Sequence, residues 1–164
     1  MTIVGDGPAR KAWEQRAKQL GLGAAVLFTG RLLPDEVPQH IAGFDVGYSG
    51  PIQLSVGKMY LSPLKLYEYM AMAKPVVAAA FEDARRLVEG QGTGFLFQSG
   101  DKEDLKRALR EAYARRYSLP GMGQQARAQI VARHSWVARV RHLIERIEPV
   151  LNTPPANAHE RRFT

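Results

Sequence analysis

Ser62-Pro63-Leu64-Lys65-Leu66-Tyr67-Glu68-Tyr69-Met70-Ala71, followed by Ala73-Lys74-Pro75 and then Val76-Val77-Ala78-Ala79, reads as a helix that hands over to a strand. Ser62 is a capping residue type, and Pro63 suits the first helical position, where its missing N–H has no partner to lose. Pro75 cannot continue a helix. The apolar run at 75–79 is too short for a helix and has the composition of a buried strand.

The same alternation extends in both directions. Short apolar runs at 2–4, 25–28, 44–48, 75–79 and 94–97 predict strands. Between them lie helical patterns. One follows Pro8, places Trp13, Ala17 and Leu20 on one face, and ends at Gly21 and Gly23. A short one covers 34–42 and a third covers 62–73. Asp101 caps a helix whose Leu105, Ala108, Leu109, Ala112 and Tyr113 share a stripe. A further helix spans 122–134, and Ser135 caps the last one, striped by Val137, Val140, Ile144, Ile147 and Leu151. Alternating strands and helices predict an α/β fold, a Rossmann-like parallel sheet with helices on both faces. The expected organisation is one domain over 1–151 and a flexible tail over 152–164. Ligands of such sheets bind beyond the carboxyl ends of the strands. The informative loops are therefore 5–8, 29–33, 49–61 and 81–84.

Composition narrows the function classes. With 45% hydrophobic and 24% charged residues, the 164-residue chain is neither disordered nor fibrous. It has no cysteine, which excludes a disulfide frame and a thiolate metal site and fits a cytoplasmic protein. No apolar run approaches the ~18 residues of a membrane span, and residues 1–6 lack the basic and apolar regions of a signal peptide. The net charge of +7 points to nucleic acid, an anionic membrane or an anionic substrate. Much of it lies on Arg107, Arg110, Arg115, Arg116, Arg127, Arg133, Arg139 and Arg141, a pattern that also suits a plain solvated helical surface. No RNA-binding motif accompanies it, so no nucleic acid is expected, whereas peripheral membrane contact is compatible with the charge. Trp13, Trp136, Tyr113 and Tyr117 are expected in the core rather than as base-stacking groups.

Chemistry concentrates at 62–68. A helix start carries free N–H groups and about half a positive charge. Lys65 adds an ammonium in that first turn, where a cation is disfavoured unless an anion sits beside it. Phosphate is the natural candidate. The preceding loop adds Gly57 and Lys58. Glu68 lies one turn behind Lys65 and could accept hydrogen bonds from a ribose diol, or the two could form a surface ion pair. Gly5-Asp6-Gly7-Pro8 fails the dinucleotide fingerprint because Arg10 stands where its third glycine belongs, and no acid follows the second strand, so NAD and FAD are not expected. Gly5 and Gly7 then suit a tight turn. His40, His134, His142 and His159 lack ligand spacing, and no nucleophilic triad can be read.

The segments 3–8, 26–31, 62–71 and 74–78, with Gly94-Phe95-Leu96-Phe97, Gly100-Asp101 and His134-Ser135-Trp136, resemble in order the C-terminal domain of family 4 retaining glycosyltransferases across roughly residues 2–148. The resemblance implies a GT-B enzyme with two Rossmann-like halves, in which this half holds a nucleoside-diphosphate sugar and requires no metal or other cofactor. Glu68 matches the second glutamate of the family's E-x7-E motif, which binds the ribose hydroxyls. The N–H groups of Leu64 and Lys65, behind Ser62, match those facing the diphosphate. Phe28, Thr29 and Gly30 match the loop beside the base. Tyr60, Lys58 and Gly5 are further candidates for sugar or phosphate contacts.

Three departures accompany the match. Tyr60 stands where the first glutamate belongs, and Ala73 replaces the usual glycine before Lys74-Pro75. The family's N-terminal acceptor domain, and the central strand preceding the 3–8 segment, have no counterpart in the sequence. The expectation is a donor-binding half, inactive by itself, whose sheet carries a gap, a rearrangement or a borrowed strand. Exposed ladder edges would favour a homo-oligomer. Two alternatives stand beside this reading: a sugar-nucleotide 2-epimerase of the same architecture, and a non-catalytic anion-binding interaction module using the basic C-terminal helices.

Overall fold

The computed structural model of the chain describes residues 1–51 and 64–152. They fall into two compact units, Met1–Phe44 and Asp45–Thr164. The first holds β1 (Thr2–Val4), α1 (Arg10–Gln19), β2 (Leu27–Gly30) and α2 (Val37–Ala42). The second holds β3 (Gly47–Ser49), α3 (Leu64–Ala71), β4 (Val76–Ala79), α4 (Glu82–Val88), β5 (Gly94–Phe97), α5 (Lys102–Ala114), a 3-10 turn at Arg116–Ser118, α6 (Leu119–His134) and α7 (Trp136–Leu151). The α/β class is as expected, and among the described residues the strand pairs β1-β2, β3-β4 and β4-β5 are all parallel. Among the described residues the strands form two sheets, β1-β2 and β3-β4-β5, rather than one continuous sheet.

In the second unit the pleat sorts side chains between two helical layers. Val76 and Ala78 of β4 face Leu66 and Met70 of α3, Ala84, Leu87 and Val88 of α4, and Ala126 and Ile130 of α6. Val77 and Ala79, with Phe95 and Phe97 of β5, face Ala108 and Ala112 of α5, Leu119 and Met122. Both faces of β4 are thus dry, as the central strand of a covered parallel sheet requires. Burying a side chain such as Leu66 or Leu87 contributes about 1.5–3 kcal/mol. Thr93, fully buried, donates its hydroxyl to the Leu87 carbonyl at 2.7 Å, so its polar atom is satisfied.

Helix α6 serves both layers because it crosses the amino edge of this sheet. Gly123 lies directly against the carbonyl of Ala73 and near the Pro75 ring, just before β4 begins, and Gln125 lies against Gly92, just before β5. Arg127 donates from α6 to the Ala71 carbonyl at the end of α3. The carboxyl edge is the opposite side.

Helix α3 ends in a Schellman motif. Lys74 N–H donates to the Tyr69 carbonyl and Ala73 N–H to the Met70 carbonyl. Ala73 occupies the left-handed position at φ 54°, among the described residues the one non-glycine with positive φ. Helix α1 ends in the same motif, with Leu22 N–H on Ala17, Gly21 N–H on Lys18 and Gly21 at φ 70°. The alanine at 73 therefore carries a steric cost that glycine would not. Ala73→Gly is expected to stabilise the chain by about 0.5–1 kcal/mol after the greater freedom of glycine in the unfolded chain is subtracted. The check is a rise in denaturant midpoint at unchanged slope.

Several sequence expectations need correction. The loop at 81–84 is the start of α4: Phe81 is extended, Glu82 and Asp83 complement the helix dipole, and Ala84, Leu87 and Val88 are buried. The second strand begins at Leu27 rather than 25 because Ala25 and Val26 close a turn on Leu22. Trp13 is 55% exposed, since a two-stranded sheet offers little surface beyond that taken by Ala17. Tyr113 and Tyr117 are not core either; their rings flank the Arg116 guanidinium at 4.8 and 4.4 Å. Trp136 is 85% exposed, and the α7 stripe of Val137, Val140, Ile144, Ile147 and Leu151 is exposed with it. The caps stand as read: Asp101 accepts from the N–H groups of Glu103 and Asp104, and Ser135 from that of Ala138. No helix among the described residues is long and apolar enough to cross a membrane.

Candidate functional site

In the second unit β3 and β4 run parallel, so the chain between them must return to the starting end. Helix α3 makes that return. Tyr69 covers Gly47 of β3, where a side chain would collide with its ring, and Leu66 and Met70 cover β4. The helix ends at the amino edge, beside α6, so its first turn lies at the carboxyl edge, the ligand side of a parallel sheet.

That first turn carries the sequence-predicted groups. Helix α3 is described from Leu64 onward, and Leu64, Lys65 and Leu66 form the described turn nearest that edge. Leu64 is 65% exposed, and Lys65 and Glu68 are exposed one turn apart. The alternative of a Lys65–Glu68 ion pair is not realised. Among the described residues neither side chain joins an ion pair, although Arg86, Lys106 and Arg107 each pair with a carboxylate on their own helix and Arg85 with Glu89 just past the end of its helix. Ser62, Tyr60 and Lys58 lie outside the described residues.

The rim around this turn is braced. Tyr48 of β3 stacks on Phe97 of β5 at 6.0 Å with the rings 9° apart, and Gly50 leaves room for the Tyr48 hydroxyl. Burial pushes the Tyr48 phenol upward. Ser99, after β5, donates to the Pro51 carbonyl, after β3, at 2.9 Å. Asp104 accepts from Gln98 N–H at 2.6 Å, and the Arg107 guanidinium followed by that N–H holds its carboxyl below the usual range. Behind Glu68, the Tyr69 phenol is raised by burial and then by the Glu68 charge. Tyr67 meets His134 at 5.4 Å and Arg139 at 6.0 Å. Burial, then the charges of Arg139 and Arg133, lower the His134 imidazole below its ordinary value. The sequence reading missed the Tyr48–Phe97 and Ser99–Pro51 ties because each joins strands distant in the chain.

In the first unit, Gly5, Phe28, Thr29 and Gly30 converge at the carboxyl ends of β1 and β2. Gly5 N–H donates to the Gly30 carbonyl at 2.9 Å, and Thr29 Oγ1 donates to the same carbonyl at 3.0 Å. Gly5 has φ 131° and Gly30 φ 78°, which glycine alone adopts without strain. Arg10, absent from the sequence-predicted set, lies against Gly30 and bonds Asp6 and Glu14. Its signal was the 6, 10, 14 spacing of opposite charges.

The family model described as "Glycosyl transferases group 1" matches residues 1–115. The chain is 31% identical over 142 residues to sulfoquinovosyl transferase SQD2 of Arabidopsis thaliana, covering 84% of this chain and 26% of that protein. It is 28% identical over 138 residues to a GDP-mannose-dependent alpha-(1-6)-phosphatidylinositol monomannoside mannosyltransferase of Mycobacterium tuberculosis, covering 83% and 36%. Among solved structures, Anabaena Alr3699/HepE in complex with UDP superposes with a TM-score of 0.71 at 25% identity, covering 90% of this chain and 40% of that one. The chain thus spans between 26% and 40% of the length of these proteins. A match over residues 1–115 is more than half of its 164 residues, and the chain belongs to the glycosyl transferases group 1 family.

Proposed function

We propose that this chain is the donor-binding portion of a retaining glycosyltransferase and that it binds a nucleoside-diphosphate sugar. The observation that carries the reading is an exposed Lys65 and an exposed Glu68, one turn apart at the end of α3 that lies toward the carboxyl edge of a parallel sheet. The structure of Alr3699/HepE with UDP-glucose, also 25% identical, supports the same ligand class.

Each role follows from chemistry. Charge builds on the leaving diphosphate as the glycosidic bond to the donor breaks. The N–H groups of Leu64 and Lys65, the helix dipole and the Lys65 ammonium are fixed donors and positive charge for it. This is the service a divalent cation gives in other phosphate chemistry, so the reading requires no metal. Glu68 accepts hydrogen bonds from the ribose hydroxyls, and Phe28, Thr29 and Gly30 sit beside the base. Acceptor recognition belongs to residues beyond this chain, which by itself binds donor without transferring it.

A thermal-shift screen tests the proposal. A ligand that binds only the folded state stabilises it by ~2.7 kcal/mol at ~100 times its Kd, or roughly 5–10 °C for a chain of this size. At least one of UDP, GDP, ADP, CDP and dTDP, or its sugar conjugate, is expected to produce such a shift. Flat transitions across the whole series at millimolar concentration would overturn the reading.

A further inference from the structure

We propose that Arg10 is a positioning residue that sets the shape of the Thr29-Gly30 turn and thereby the discrimination among nucleobases; the inference rests on the donor-binding reading, which puts that turn beside the base. Every residue involved lies within the first unit. Arg10 opens α1, and neither it nor any neighbour in the first turn is acidic, so the helix dipole alone would not hold a cation there. Two carboxylates hold it instead. Nε donates to Glu14 at 2.7 Å, one turn along α1, and Nη1 to Asp6 at 3.4 Å, in the preceding loop.

The guanidinium so fixed fills the space that a side chain at position 30 would take. A Cβ on Gly30 would lie 2.7 Å from Nη1. Gly30 is buried at φ 78°, and its carbonyl is already engaged by Gly5 N–H and the Thr29 hydroxyl. The turn is therefore held from two sides: by hydrogen bonds at its carbonyl, and by the planar guanidinium against its α-carbon. Glycine has wide conformational freedom, and without the second support Gly30 would regain much of it. Arginine suits the task because its donors form a rigid fork, so Nε and Nη1 can be anchored on different carboxylates at once. A lysine keeps the charge and loses the fork.

The test uses the whole chain and calorimetric affinities for UDP, GDP, ADP and inorganic pyrophosphate. Arg10→Lys and Arg10→Gln are each expected to weaken the tightest nucleoside diphosphate tenfold or more and to narrow the spread among the three nucleosides. Pyrophosphate affinity should stay within twofold, and Lys11→Gln, one residue along, should leave every affinity within twofold. A loss shared equally by pyrophosphate, or no loss at all, would overturn the positioning role, because general electrostatics and global destabilisation act on every anion alike. Should Arg10→Gln unfold, the charge-preserving Arg10→Lys decides the matter alone. If the unaltered chain prefers no nucleoside diphosphate over pyrophosphate, the donor-binding reading fails first and takes this inference with it.

Discussion

Lys65→Ala is expected to weaken nucleoside-diphosphate binding roughly ten- to hundredfold while leaving the affinity for the bare nucleoside nearly unchanged. A hydrogen bond to a charged group is worth about 1.5–3 kcal/mol, and each ~1.4 kcal/mol is a factor of ten in Kd. The ammonium is free to act on a ligand, since Lys65 is exposed and, among the described residues, in no ion pair. Its removal strands no buried carboxylate, so the unfolding free energy should move by less than ~0.5 kcal/mol. Glu68→Gln should behave differently. It removes a charged acceptor for the ribose, so nucleoside and nucleoside diphosphate should both weaken, and by similar factors. Calorimetry of the two variants against both ligand types separates the roles. If the four titrations match those of the unaltered chain, the assignment of α3 to the diphosphate and ribose is wrong.

Gly123→Ala is expected to destabilise the chain by about 2 kcal/mol, against the trend of helix propensity. Alanine in place of glycine inside a helix gains up to ~1 kcal/mol. At position 123 the added methyl group would run into the Ala73 carbonyl and sit 3.3 Å from the Pro75 ring. That carbonyl is backbone, in a turn already held at positive φ, and cannot swing aside as a flexible side chain could. Overpacking of this kind costs about 1–3 kcal/mol and sometimes more, and separating α6 from α3 also loosens the layer holding Ala126 and Ile130. At Gly121, two residues earlier on α6, an added methyl group would meet nothing within 4 Å, so Gly121→Ala should be neutral or stabilising. Opposite signs for the two substitutions in urea unfolding would establish close approach, rather than propensity, as the reason for Gly123. Because Ala73 lies on the other side of the contact, Gly123→Ala and Ala73→Gly should combine non-additively.

How far the sequence was legible follows from the range of the forces involved. The Asp101 and Ser135 caps, the ends of α1 and α3, and the Gly94–Phe97 strand all depend on residues within a few positions of one another, and local chemistry was enough. The start of α4 was legible too, in Glu82, Asp83 and the spacing of Ala84, Leu87 and Val88, yet its loop-like length obscured it. For the aromatics, hydrophobic character was a poor guide. Trp13, Tyr113, Tyr117 and Trp136 are exposed because burial depends on what stands opposite a side chain, and that is absent from a one-dimensional pattern.

The candidate site divides the same way. The capping and proline signals before Leu64, the lysine in the first turn and the carboxylate one turn on are local facts, and the sequence alone determined them, together with the α/β class. Only tertiary packing decided that Lys65 and Glu68 stay exposed and, among the described residues, outside any ion pair. It also decided that α6 closes the amino edge and leaves the α3 start on the opposite one, that the strands divide into two sheets, and that Arg10 rests on Gly30. The physical reason is that helix propensity, capping and charge spacing act between chain neighbours. Which edge is covered, and which ion finds a partner, depends on van der Waals contacts and hydrogen bonds between segments tens of residues apart.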